Sequence, residues 1–115
     1  MIVSKKLTKK FGTVDAVSAL DLDIKEGEIF GLVGPDGAGK TTAMRLLTAI
    51  LEPTSGDAWV CGSHIKEGPE EIKKNIAYMP QRFGLYGDLT VSENIDFYAD
   101  IYSVPKDQRA ERIEE

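Results

Sequence analysis

Between an apolar run and a helical pattern lies Gly34-Pro35-Asp36-Gly37-Ala38-Gly39-Lys40-Thr41-Thr42, a G-x-x-x-x-G-K-T stretch followed by a second threonine. A loop of this kind wraps backbone N–H groups around nucleotide phosphates, and it constrains the fold because it needs a strand before it and a helix after it. Glu28-Ile29-Phe30-Gly31-Leu32-Val33 supplies a buried-strand candidate. Met44, Leu47 and Leu51, with Leu46 and Ile50 beside them, supply helical spacing from about Lys40 to Leu51, where Pro53 and Gly56 stop it. The helix N-terminus then adds its dipole and free amides to the anion site. Gly34, Gly37 and Gly39 let amides converge where a Cβ would obstruct them. Lys40 offers a point charge to the β- and γ-phosphates, and Thr41 a hydroxyl suited to Mg²⁺. The plain alternative is a Gly/Pro/Asp turn with a solvated lysine. The strand-loop-helix context weighs against it.

Charge narrows the partners. With 19 Asp and Glu against 14 Lys and Arg in 115 residues, the net charge is −5, which gives no general attraction to nucleic acid or anionic lipid. No apolar run reaches the length of a membrane span, and the residues after Met1-Ile2-Val3-Ser4-Lys5-Lys6 lack a signal-peptide core. A cytoplasmic location is the expectation. One cysteine, Cys61, allows no internal disulfide and reads as a small buried residue; a lone His64 makes no case for zinc.

Taken in order, the segment from Ile2 to Phe11 reads as an edge strand whose lysines discourage pairing with another chain. Gly12-Thr13 is a turn. Leu20, Leu22 and Ile24 then alternate with Asp21, Asp23 and Lys25, a half-buried strand. Phe11 has two readings: a core aromatic at a strand end, or a ring that stacks a purine. Val17 is a core residue first and a ring contact second. Asp57-Ala58-Trp59-Val60-Cys61 predicts another strand, paired with the N-terminal antiparallel layer. Pro69, Glu70, Glu71, Lys73 and Lys74 mark a short helix with favourable terminal charges. Ile76-Ala77-Tyr78-Met79 is an apolar run ended by Pro80 and Gln81. Alone, Gln81 reads as a solvated loop residue, yet an amide at the C-terminal end of a parallel strand is also placed to reach a metal or water above phosphates. Phe83, Leu85 and Tyr86 make an apolar loop, either packed internally or a partner contact. Thr90-Val91-Ser92-Glu93 has capping-box spacing. Ile95, Tyr98, Ala99 and Tyr102 share a helical face and read as packing. A final helical piece, with weak apolar side Ala110 and Ile113 and a like-charge Glu111/Glu115 pair, ends without a cap, which reads as truncation inside an element.

These motifs resemble, in order and over the whole chain, those of ATP-binding cassette (ABC) transporter ATPase subunits. The resemblance rests on Phe11-Gly12, Ala16-Val17, Gly34 to Thr42, Leu51 to Gly56, Ile76 to Gln81, and Leu89-Thr90-Val91-Ser92-Glu93-Asn94-Ile95. It is strongest toward multidrug or drug-exporter ATP-binding proteins. It implies an α/β P-loop NTPase cassette, with an N-terminal antiparallel β-subdomain beside a mixed, mostly parallel nucleotide-binding core and a helical subdomain starting at about residue 82. Residues 1–115 would be the first half, with the C-terminal half absent. Phe11 becomes the adenine-stacking residue, and Gln81 the residue that senses Mg²⁺ and the γ-phosphate and communicates with the transmembrane partner. ATP and Mg²⁺ are the implied ligands, contacted by Phe11, Val17, residues Gly34 to Thr42 and Gln81. A transmembrane permease and a second ATP-binding domain in a head-to-tail dimer are the implied partners.

No apolar strand ending in Asp-Glu follows the loop, and neither Asp88 nor Glu114-Glu115 takes the place of one. The family's serine-glycine signature and switch histidine are also missing from these residues. Residues 1–115 alone are therefore expected not to turn over ATP, whereas the parent is expected to couple hydrolysis to export. Two alternatives stay open: a soluble ATPase of the same superfamily in repair or translation, and a noncatalytic nucleotide-binding regulatory module.

Overall fold

A computed structural model describes residues 1–82 and 84–114. Phe83 of the apolar loop and Glu115 of the acidic pair lie outside the described residues. Two compact units divide the chain, Met1–Tyr78 and Met79–Glu115.

The first unit is a four-stranded antiparallel sheet with two helices. Strands β1 (Ile2–Phe11), β2 (Val14–Ile24), β3 (Ser55–Val60) and β4 (Ser63–His64) lie in the order β2-β1-β3-β4. The alternation from Leu20 to Ile24 holds: its apolar residues are buried or half-buried and its charged ones exposed. The expected pairing of β3 with the N-terminal layer is also present, with Ile2 opposite Val60 and Lys5 opposite Asp57. β1, however, is an inner strand, bonded on both sides, and not an edge. Its Lys5, Lys6 and Lys10 are exposed side chains on a paired backbone. Lysines keep a face wet as readily as they guard an edge, so their presence does not distinguish the two. Register shifts in β1 free backbone donors, and side chains take them up: the Lys6 amide donates to Asp21 Oδ1 at 2.6 Å and the Ala19 amide to Thr8 Oγ1 at 3.0 Å.

Helix α1 (Lys40–Leu47) stops four residues before the expected Leu51. Ala49 turns into the left-handed region at φ 54°, and the amides of Ile50 and Leu51 both donate to Arg45 O at 3.0 Å, closing the helix before Pro53 is reached. Its inward face is Ala43, Leu46 and Leu47, whereas Met44 and Ile50 are exposed. These three join Leu7, Val17, Ala58, Val60, Ile65 and Ile72 in one core. Ile72 comes from α2 (Pro69–Asn75), which carries the expected Pro69, acidic first turn and basic last turn. Cys61 is exposed, not buried: β3 ends at Val60, and Cys61 sits at φ 51° in the following turn.

Two expected strands are not formed. Glu28 to Val33 has no strand hydrogen bonding, with Ile29 101% and Val33 95% exposed, and Ile76 to Met79 is likewise irregular. An inner parallel strand exists only when neighbours accept its hydrogen bonds, and among the described residues none flanks either segment.

The second unit contains α3 (Val91–Ile101) and α4 (Lys106–Glu114). The capping box forms as read: Thr90 N donates to Glu93 Oε2 at 2.8 Å, and Glu93 N to Thr90 Oγ1 at 3.3 Å. The face Ile95, Tyr98, Ala99, Tyr102 is only partly packed, since Ile95 and Tyr102 are exposed; Tyr98 donates its hydroxyl proton to Gly84 O at 2.5 Å. Arg109 of α4 holds Asp100 and Asp96 of α3 at 2.6 and 3.3 Å.

Acid should loosen this unit. Hydrogen bonds from Thr90 lower the Glu93 carboxyl below its ordinary 4.5, and the Arg109 hydrogen bond and charge lower Asp100 below 3.8. Each contributes stability that is complete above the unfolded-state value and lost as pH falls through the lower folded value. Carboxyl ¹³C titration should give both groups midpoints below those ordinary values, with helicity falling in the same range; midpoints at or above them would contradict this assignment.

Candidate nucleotide-phosphate site

Between β2 and α1 the chain runs from Lys25 to Gly39, anchored by Leu32, which is half-buried against the core. The Ala38 amide donates to Pro35 O at 3.2 Å, tightening the loop before the helix begins. Gly39 is the helix N-cap at φ 88°, ψ 4°, with no capping side chain and no acidic residue in the first turn of α1. The first amides of α1 therefore have no carboxylate or hydroxyl competing for them, and the positive end of the helix dipole is left uncompensated.

Close packing explains the glycine. A Cβ at Gly39 would overlap the carbonyl oxygen of Ala16 and lie 3.5 Å from Val17 Cγ2. The end of the phosphate loop is thus seated directly on β2. Lys40 folds back over the same loop, its Nζ donating to Gly34 O and Pro35 O at 2.6 Å each. An ammonium already held at the loop mouth by two neutral acceptors needs only to exchange them for anionic oxygens when a phosphate arrives, and charge-assisted bonds are the stronger kind.

The structure brings Gly34, Pro35, Gly39, Lys40 and Val17 together. Asp36, Gly37, Ala38 and Thr41 are exposed around the loop and Thr42 is half-buried. Val17 is 8% exposed and belongs to the core, as its first reading had it. Phe11 is not a core residue: it is 51% exposed at the end of β1, opposite Val14, with Lys9 Nζ 5.2 Å from its ring centroid. Gln81 lies exposed at the start of the second unit. Among the described residues no three His, Cys, Asp or Glu side chains gather as metal ligands, and no helix is long and apolar enough to cross a membrane.

Two structural residues escaped the sequence reading. Asn94 is 6% exposed, donating from Nδ2 to Tyr86 O, Leu89 O and Thr90 O at 3.0 to 3.2 Å and accepting from Tyr86 N at 2.9 Å. It locks the loop before α3 to the helix. Its signal in the sequence is positional: Asn94 shares a helical stripe with Val91 and Tyr98, so a polar side chain sits where an apolar one is expected. Arg109 is the other, announced by Asp96 and Asp100 one helical turn apart.

The family model for ABC transporters matches residues 17–115. The probable multidrug ABC transporter ATP-binding protein YbhF of Escherichia coli (strain K12) is 42% identical over 113 residues, 98% of this chain and 20% of that protein. The methionine import ATP-binding protein MetN of Geobacillus kaustophilus (strain HTA426) is 41% identical over 123 residues, covering all of this chain and 36% of that protein. Among solved structures, the dimeric post-hydrolysis state of the ATP-binding cassette MJ0796 bound to ADP and Pi aligns with a TM-score of 0.79 at 27% identity, over 97% of this chain and 53% of that one. The chain thus spans between a fifth and about a third of these curated relatives. With its antiparallel β-subdomain joined to a phosphate loop, this chain belongs to the ABC transporter family, as part of an ATP-binding domain.

Proposed function

We propose that this chain is the first half of an ABC ATPase cassette that holds Mg²⁺-ATP and, in the full-length protein, couples its hydrolysis to transport across a membrane. One observation carries the reading: Gly39 seated on Ala16, with Lys40 closing over Gly34 and Pro35, leaves an uncapped helix N-terminus and a displaceable cation at one loop. The loop amides from Gly34 to Thr42 and the Lys40 ammonium would hold the phosphates, and the Thr41 hydroxyl would be a ligand of Mg²⁺. When bound, Mg²⁺-ATP supplies the phosphoanhydride whose hydrolysis drives the transport cycle. Phe11 would offer its exposed ring to the adenine, Val17 would support the loop beneath, and Gln81 would be the residue that senses Mg²⁺ and the γ-phosphate. Catalytic roles fall to Lys40 and Gln81.

Around this site Glu28 to Val33 and Ile76 to Met79 would become strands of a mixed, mostly parallel core; the bare Ile29 and Val33 side chains support it. The helical subdomain would start at about residue 82. A permease is the proposed membrane partner, keeping this domain at the cytoplasmic face, and a second ATP-binding domain the proposed head-to-tail partner, supported by the dimeric MJ0796 relative. Export is the proposed direction of transport, and the name of YbhF supports a multidrug-type parent. Nucleic acid is not a proposed partner of this acidic chain.

The test separates binding from turnover. Phe11→Ala in the full-length protein should raise the Kd for ATP roughly 5- to 150-fold, as expected for a lost stacking contact of about 1–3 kcal/mol, with little change in kcat. Gln81→Ala should lower kcat or transport coupling about tenfold or more, with Kd within a factor of about two. The reverse pattern in paired titration and ATPase assays would undo both roles.

A further inference from the structure

Lys9 stands beside the base platform in an arrangement that the phosphate chemistry does not explain. Its side chain is half-buried, its Nζ donates to Glu52 O at 2.7 Å, and the same Nζ lies 5.2 Å from the centroid of the Phe11 ring. The segment carrying Glu52 is itself fastened to β1, since Thr54 N donates to Thr8 O at 2.9 Å and Lys10 N to Thr54 Oγ1 at 3.0 Å. The ammonium is therefore fixed at one end by a braced carbonyl and rests at the other over an exposed aromatic. In β1, Lys9 is also the residue opposite Val17, the neighbour of Ala16, on whose carbonyl Gly39 sits.

From this arrangement we infer that Lys9 is a positioning residue for the nucleotide base: the ammonium clamps one face of Phe11 and leaves the other for a purine. This rests on the reading of Phe11 as the base platform. Two effects follow from the geometry. A half-exposed ring otherwise samples several rotamers, so holding it removes an ordering cost at binding. A cation over one face also draws the ring's negative quadrupole toward itself, so that the opposite face repels the electron-rich face of an adenine less. Lys9 does not touch the phosphates in this account; it acts through Phe11.

The experiment compares ATP with inorganic tripolyphosphate by calorimetric titration of the full-length protein in Mg²⁺, because only ATP has a base. Lys9→Met should weaken ATP about 3- to 10-fold while leaving tripolyphosphate within about twofold, a range matching the usual strength of a cation over an aromatic ring. Lys9→Arg, which keeps a cation able to stack on the ring, should restore ATP binding to within about twofold. In a Phe11→Ala background the Lys9→Met effect should vanish. Tripolyphosphate binding also certifies that each variant is folded. Equal losses for both ligands, no loss for ATP, or an undiminished Lys9 effect without Phe11 would each overturn the inference. If Phe11→Ala itself leaves ATP affinity unchanged, the platform reading fails and this role falls with it; if Phe11→Ala weakens ATP but Lys9→Met does not, only the role of Lys9 fails.

Discussion

Lys40→Ala in the full-length protein should lower steady-state ATP turnover by about a hundredfold or more while the unfolding transition stays close to that of the parent. The size follows from where the charge acts. Removing one preorganised donor from a site where negative charge develops costs on the order of 10²–10³ in rate, or about 2.7–4 kcal/mol. The two Lys40 bonds to Gly34 O and Pro35 O lie in an exposed loop, where water replaces lost partners at little cost. A large kinetic loss with a small stability loss is therefore the signature. Equal turnover in a folded variant would remove Lys40 from the mechanism, and a collapse in stability of matching size would make it a structural residue instead.

The second large effect concerns Gly39. Gly39→Ala places a methyl group against the Ala16 carbonyl, 3.2 Å from its carbon, at a backbone angle of φ 88° that L side chains rarely adopt. Left-handed strain and overpacking each cost roughly 1–3 kcal/mol, so the variant should lose about 2–6 kcal/mol of stability or push the loop off β2 and lose ATP affinity. Gly37 provides the internal comparison. Its φ is 81°, but a Cβ there meets nothing within 4 Å, so Gly37→Ala carries only the backbone strain. Chemical denaturation and ATP titration of the two variants should rank Gly39→Ala well below Gly37→Ala. Equal damage at both positions would mean that the contact with Ala16 is unimportant and that backbone angle alone explains the glycines.

Features that depend on a few neighbouring residues were legible in the sequence. The phosphate loop, the alternation of Leu20, Leu22 and Ile24, the Pro69 helix start and the Thr90–Glu93 capping box all involve partners within a few positions. What could not be read depended on distant partners. Whether β1 lay inside the sheet was decided by β3, some fifty residues later, since lysines suit an exposed face as well as an edge. Glu28 to Val33 has an inner strand's composition but no neighbours to bond with among the described residues. Cys61 continues the pattern of β3, yet the hairpin turns one residue earlier. At the site, residue type located the loop and Lys40, while the seat of Gly39 on Ala16 and the Lys9 contact with Phe11 depend on how the loop meets β2 and on side-chain placement along β1.

Hydrogen–deuterium exchange of the full-length protein, with and without Mg²⁺-ATP, reads phosphate binding at the loop itself. Bound phosphates would occupy the amides that the loop and the first turn of α1 leave open, so their exchange should slow on ligand binding. Protection is expected across residues 34–42 with Mg²⁺-ATP and with Mg²⁺-tripolyphosphate, absent with adenosine and strongly reduced in Lys40→Ala. Saturating Mg²⁺-ATP that protects other segments while residues 34–42 exchange as in the free protein would contradict it.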